Sequence, residues 1–137
     1  MMTPATAGSA VKLLAWSAAV VVAHYLAVVW HVVLLVKVQP GFPAVGIRLL
    51  LLINLVPIAG VAVFAKGARR LAAGAIIIPL GIALVIGGYT HFLSPGADNV
   101  FRMPPSGLTL SFQISAALLV ILEALGCWAG VKIYMPR

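Results

Sequence analysis

The sequence predicts an all-α integral membrane protein, a bundle of four transmembrane helices, and three observations support this fold class. Of its 137 residues, 64% are hydrophobic and 8% are charged, whereas soluble domains average about 45–50% apolar and about 25% charged residues. The apolar residues form four uninterrupted runs of about 20 residues, which is the length that crosses a hydrocarbon core. These runs lack the alternation of a barrel strand, so their backbone amides must be satisfied within helices.

The four spans follow one another in one domain, residues 1–137. We predict them at residues 13–36, 47–65, 71–92 and 108–131. They are connected by a proline-containing turn at 39–43, a basic turn at 66–70 and an outer loop at 94–107. Pro57 and Pro79 lie inside the second and third spans and predict kinks, because proline lacks the amide hydrogen that a helix interior uses. The outer loop is long enough to fold over the mouth of the bundle.

Basic residues beside the spans predict the orientation of the chain. Six lie on the side of the termini and three on the other side, namely Lys12, Lys66, Arg69, Arg70, Lys132 and Arg137 against Lys37, Arg48 and Arg102. By the positive-inside rule, both termini are then cytoplasmic and the protein lies in the cell (inner) membrane. The formal charge of +7 fits anchoring at anionic lipid, so nucleic acid is not a predicted partner.

Seven polar side chains lie at membrane depth, where their burial is costly. Their depth follows from counting about 1.5 Å per residue from the nearest cytoplasmic basic residue. A middle layer, roughly 14–18 Å deep by this count, contains His24, Asn54 and Glu123. An outer layer, roughly 27–32 Å deep, contains His31, Arg48, His91 and Gln113.

Residue spacing indicates which helix faces these side chains share. His24 and His31 are seven residues apart and therefore lie on one stripe of the first helix. Glu123 lies on the face of Gly130, which forms a GxxxG pair with Gly126, so Glu123 is expected to face another helix. The matched depth predicts a hydrogen bond or ion pair between His24 and Glu123. Helix packing is predicted at four glycines, Gly81, Gly88, Gly126 and Gly130.

The function predicted from these features is that of an accessory or structural subunit of a membrane complex, or of a homo-oligomer. Its partners are then the lipid bilayer and other membrane subunits or copies of itself. A polar seam of His24, Asn54 and Glu123, with Arg48 and Gln113 nearby, would hold a lipophilic ligand or position a proton. The plainer interpretation is that Asn54 and Gln113 make interhelical hydrogen bonds and that Arg48 extends to lipid headgroups.

Three alternative functions stay open on the sequence. His31 and His91 would bind haem b or a metal ion if they meet at one depth, because imidazole is a common ligand. A proton-coupled small transporter would use Glu123 as its intramembrane carboxylate. An enzyme would use His24 or His31 with Glu123 as a general acid–base pair. No nucleophile elbow, phosphate loop, paired-cysteine or HExxH motif occurs, so an enzyme acting alone is less favoured.

Overall fold

The computed structural model of the chain describes residues 4–39, 41, 43–96 and 98–135, and the regular elements in this part are all helical. They are α1 (Pro4–Val38), α2 (Ala44–Ile53), α3 (Val56–Ala65), α4 (Arg69–Gly88), a π-helical segment (Tyr89–Leu93) and α5 (Thr109–Tyr134). Within the described ranges, four stretches are long and apolar enough to cross a membrane: Gly8–Val38, Ala44–Ala65, Arg69–Leu93 and Thr109–Tyr134. The predicted all-helical class with four long apolar helices is confirmed, and the cytoplasmic location of the termini stays a prediction.

The second span is divided into α2 and α3, and Pro57 explains the division. Proline at position 57 has no amide hydrogen for the carbonyl of Ile53, the last residue of α2. Asn54 ends α2 by donating from its backbone N and its side-chain Nδ2 to the Leu50 carbonyl, at 3.2 and 2.7 Å. Pro79, by contrast, lies inside α4, which stays helical through that position.

The four spans surround a common core as a ring. The most extensive packing joins α4 to α5, followed by α1 to α5 and α3 to α4, and contacts between α1 and α3 complete the ring. Helix α2 packs mainly on α1 and contains no buried residue. The half of the second span formed by α2 is therefore packed more loosely than the half formed by α3.

The two ends of the bundle differ in composition. The basic end carries Lys12, Lys66, Arg69, Arg70 and Lys132, and its core cluster consists of Phe64, Ala72, Ala73, Ile76, Leu80 and Ile133. Arg137 lies outside the described residues, as do residues 40 and 42 of the predicted turn and residue 97 of the predicted loop. The opposite end, here called the loop end, contains residues 94–107 and a core cluster of Leu34, Leu35, Val100, Phe112 and Ala116.

The loop folds over its end of the bundle, as the sequence predicted. Val100 is 3% exposed and packs among side chains of α1 and α5. Its amide donates to the His91 carbonyl at 2.9 Å, and its own carbonyl accepts a hydrogen bond of 2.8 Å from Gln113 Nε2. Two backbone groups of the loop are thus bound directly to the helices below it.

Glycines on α5 allow the close approach of α4. A Cβ atom at Gly126 would overlap Leu80, and one at Gly130 would overlap Ile77. The GxxxG pair therefore lies in the interface between α4 and α5, where added side chains would separate the two helices.

Other glycines contribute to packing to different degrees. A Cβ at Gly81 would make ordinary contact, 3.9 Å from Cys127 Sγ, whereas one at Gly88 would have no atom within 4 Å. Gly88 therefore permits no close helix approach inside the described part of the chain, and packing of another subunit on it stays a prediction. Gly60, which the sequence interpretation did not select, is closely packed, since a Cβ there would lie 2.9 Å from Ile76 Cγ1.

Candidate functional site

A histidine and a glutamate face each other in the middle of the bundle. His24 on α1 is 0% exposed and Glu123 on α5 is 5% exposed, and His24 Nε2 lies 3.5 Å from Glu123 Oε1. The two side chains lie within ion-pair distance, as predicted, but no hydrogen bond joins them. The separation exceeds the usual 2.7–2.9 Å of a charge-assisted hydrogen bond. Accordingly, three buried atoms lack a hydrogen-bond partner in the described part of the chain. They are the two ring nitrogens of His24 and Oε2 of Glu123.

A cavity of about 340 Å³ borders Glu123 on the side of the loop end, and His24 is not among the residues that line it. Its walls are mainly apolar, with Leu50 and Ile53 from α2 opposite Ile82 and Ala83 from α4. The cavity lies where α2 packs loosely, so the break at Pro57 accounts for its position. Its polar lining consists of His31, Asn54, Thr90, His91, Asp98 and Glu123.

Gly87 lies close to both the Glu123 carboxylate and the His91 ring. A Cβ atom at this position would lie 3.9 Å from Glu123 Oε2 and 3.9 Å from His91 Cδ2. Gly87 itself lines the cavity. Glu123 and the His91 ring therefore both approach the backbone of Gly87.

His31 and His91, predicted to meet at one depth, are in contact. Their ring centroids lie 4.8 Å apart with an interplanar angle of 70°, and the Phe112 ring lies 4.6 Å from that of His31. His31 Nδ1 lies 2.8 Å from Ser115 Oγ. His91 Nδ1 lies 3.2 Å from the carbonyl oxygen of Asp98. Both imidazoles are thus held by one nitrogen each.

These hydrogen bonds assign the tautomers of the two histidines. Ser115 has one hydroxyl hydrogen, which it donates to the Phe112 carbonyl at 2.8 Å, so its oxygen accepts from His31 Nδ1–H. The Asp98 carbonyl can only accept, so His91 Nδ1 also carries a hydrogen. In the neutral form of each ring, Nε2 is then a hydrogen-bond acceptor. His31 and His91 therefore both offer acceptors to a ligand.

A bis-histidine haem does not fit this arrangement. The haem iron must lie between two imidazole nitrogens with the porphyrin separating the rings, whereas the rings of His31 and His91 are in edge contact. Within the described ranges, no group of three or more His, Cys, Asp or Glu side chains is arranged to hold a metal ion. Haem binding would require the two rings to separate, and metal binding stays a prediction.

The remaining predicted site residues are placed separately from the buried pair. Asn54 is 5% exposed and lines the cavity with Glu123, but its Nδ2 donates to Leu50 of its own helix. Gln113 binds the loop carbonyl of Val100 rather than a histidine. Arg48 is exposed on α2 and is not among the residues that line the cavity. The predicted outer cluster is therefore reduced to His31 and His91, because a guanidinium on a loosely packed helix reaches solvent or headgroups.

Three residues of the site were not selected from the sequence: Ser115, Gly87 and, as a ligand-facing carboxylate, Asp98. Ser115 could have been found by the depth count used for the histidines, since it lies 17 residues before Lys132, or roughly 26 Å at 1.5 Å per residue. That depth matches His31, its partner. Gly87 had no such signal, because many glycines in this span differ only in what packs beside them.

Comparison of the chain with protein-family models, curated proteins and solved structures found no match. A fold of four apolar helices is compatible with many functions. The function must therefore be inferred from the cavity and from the polar groups that border it.

Proposed function

We propose that this chain is a multi-pass protein of the cell (inner) membrane, with both termini cytoplasmic, that holds a lipophilic ligand in the cavity beside Glu123. The observation that carries the proposal is a largely apolar cavity of about 340 Å³ on which a few polar groups converge. Concave apolar sites with a small number of placed polar groups are typical of small-molecule binding. At membrane depth, such a cavity is accessible to molecules that partition into lipid.

The unpaired carboxylate supports the presence of a ligand. Glu123 is 5% exposed, and its Oε2 has no hydrogen-bond partner among the described residues. A buried acceptor without a donor costs about 1–3 kcal/mol, and more when it is charged. A ligand that donates a hydrogen bond to Oε2 would offset this cost.

An assembly function is compatible with the same proposal. In the most apolar 18 residues of the spans Ala44–Ala65 and Arg69–Leu93, 22% of the positions are buried, against 50% for Gly8–Val38. These two spans therefore present the more extensive apolar surface, on which lipid, other membrane subunits or a second copy would pack. Gentle extraction followed by native mass measurement should show companions or an oligomer, and a monomer without companions would contradict this part of the proposal.

Positioning of a proton is a second candidate function, favoured by the 3.5 Å separation of His24 Nε2 and Glu123 Oε1. An imidazole and a carboxylate at this distance can exchange a proton through a small movement of either side chain. Proton uptake by Glu123 should appear as a carboxylic acid band in an infrared difference spectrum between high and low pH. Absence of such a band in the wild type, or its persistence in Glu123→Gln, would contradict this function.

Filling the cavity tests the main proposal. Ala83→Phe adds an aromatic ring to a cavity wall, and Ala23→Phe adds the same ring at an exposed position of α1. Binding of phenylpropylamine, phenylpropanol and phenylpropanoate is measured by calorimetry in lipid nanodiscs, with empty nanodiscs subtracted. We expect the wild type and Ala23→Phe to bind at least one probe equally well, and Ala83→Phe to bind it at least about tenfold more weakly. Failure of the wild type to bind any of the three probes would refute the proposal.

A further inference from the structure

The charges of this chain are divided unequally between the cavity and the rest of the protein. The sequence contains nine Lys and Arg residues and two acidic residues. Both acidic residues, Asp98 and Glu123, line the cavity, whereas no Lys or Arg is found among the described residues that line it. A chain with a net charge of +7 therefore concentrates its carboxylates around one cavity, where the local potential favours cations.

Burial and the missing hydrogen bond give a second, independent indication. Glu123 is only 5% exposed, and its Oε2 has no hydrogen-bond partner in the described part of the chain. Glu123 itself lines the cavity, and its Oε2 lies 3.9 Å from the position that a Cβ of Gly87, another lining residue, would take. Since carboxylate oxygens only accept hydrogen bonds, the group that would occupy this space must be a donor.

The histidines restrict the ligand in the same way. His31 and His91 each use Nδ1–H within the protein, toward Ser115 and the Asp98 carbonyl. The nitrogen left on each neutral ring is an acceptor. Three of the polar groups around the cavity thus offer acceptors, two imidazole nitrogens and one carboxylate oxygen, and a ligand with several N–H groups complements them better than one with a single hydroxyl.

We propose that the ligand class of this cavity is a lipophilic organic cation, a protonated primary or secondary amine. Its N–H groups bind Glu123 and its apolar body lies among Val28, Ile82 and Leu119, which line the cavity. Asp98, half-buried at the loop end and held by Gln39, adds a second carboxylate. This inference rests on the proposed function, because it concerns the same cavity, and it adds the charge and hydrogen-bonding character of the ligand.

The test compares probes that share one apolar body and differ in charge. Phenylpropylamine is cationic, phenylpropanol is neutral and phenylpropanoate is anionic, and all three are titrated by calorimetry in nanodiscs of zwitterionic lipid. We expect the wild type to bind the amine at least about tenfold more tightly than the alcohol, the scale of a charge-assisted hydrogen bond, and to bind the acid most weakly. In Glu123→Gln the preference for the amine should fall to about threefold or less, while binding of the alcohol stays the same.

Two further variants control this comparison. Lys12→Gln changes the net charge by one unit in the opposite direction, at an exposed position of the basic end, and it should keep the full preference for the amine. Asp98→Asn should reduce the preference by about twofold to threefold, because this half-buried carboxylate is better screened. It also allows the inference to be tested if Glu123→Gln does not fold, which circular dichroism would show.

The outcomes separate the two proposals. If amine and alcohol bind the wild type equally, the cation inference is overturned and the lipophilic cavity stands. If the amine is preferred but Glu123→Gln and Asp98→Asn both keep that preference, the inference is overturned as well, because the preference then arises elsewhere. If none of the probes binds, the proposed function itself fails. Loss of the amine preference in the carboxylate variants alone supports the inference.

Discussion

The basic end and the loop end of the bundle are built from similar apolar residues, yet one is closed and the other contains a cavity. At the basic end, Gly126 and Gly130 bring α5 against α4, and Gly60 brings α3 against α4. At the loop end, α2 ends at the helix break before Pro57 and contains no buried residue. Glycines in the interfaces therefore allow close helix packing in one half of the bundle. The other half contains the helix break at Pro57 and the cavity.

The buried histidines and Glu123 lie toward the loop end of the bundle rather than at the basic end. His24 and Glu123 lie between the two halves, and His31 with His91 lies beside the cavity. The core cluster of the basic end, by contrast, consists of Phe64, Ala72, Ala73, Ile76, Leu80 and Ile133, all apolar. Of these four polar side chains, Glu123, His31 and His91 line the cavity, whereas His24 does not.

The largest expected effect comes from adding a methyl group to the closed half. In Gly130→Ala the new Cβ would overlap Ile77 and lie 3.4 Å from the Ala73 carbonyl oxygen, which cannot move without the helix. We expect a loss of about 1–3 kcal/mol in the free energy of unfolding, as for other overpacked sites. Gly88→Ala is the matched control, because its Cβ would have no atom within 4 Å. Equal thermal stability of the two variants in detergent would contradict the conclusion that the helices are closely packed at Gly130.

A smaller loss of stability is expected when the hydrogen bond to His31 is removed. Ser115→Ala removes the acceptor of His31 Nδ1–H, a buried hydrogen bond of 2.8 Å, and we expect a loss of about 1 kcal/mol. The direct readout is nitrogen NMR of the His31 ring, which should lose its fixed Nδ1–H tautomer. Ser111→Ala, on the same helix, should leave both stability and tautomer unchanged. A His31 ring that keeps its tautomer in Ser115→Ala would contradict the assignment.

The smallest loss of stability is expected when the hydrogen bond between Gln113 and the loop is removed. Gln113→Leu removes the 2.8 Å hydrogen bond to the Val100 carbonyl, which is partly buried and is worth about 0.5–1 kcal/mol. Amide hydrogen exchange should accelerate in the loop residues around Val100 and stay the same in α4. Ile114→Leu, at an exposed neighbouring position, is the control. Unchanged exchange in Gln113→Leu would show that apolar packing of Val100 alone holds the loop.

Much of the fold and part of the site were predictable from the sequence. The scarcity of charges requires four apolar helices, and the predicted spans agree with the helices to within a few residues at most ends. Depth counting paired His24 with Glu123 and His31 with His91, because rise per residue is nearly constant in a helix. It also grouped Arg48 and Gln113 with the histidines, since depth does not specify which direction around the helix axis a side chain points.

The sequence by itself determined the apolar character of this protein, the number of its long helices and the position of each polar group along its helix. These follow from composition and helical rise, which depend on single segments. Only the tertiary structure decided that the cavity lies between α2 and α4, that Ser115 supports His31 and that both carboxylates border one space. The physical reason is that rotation of each helix about its axis, and its distance from its neighbours, depend on packing between segments far apart in the chain.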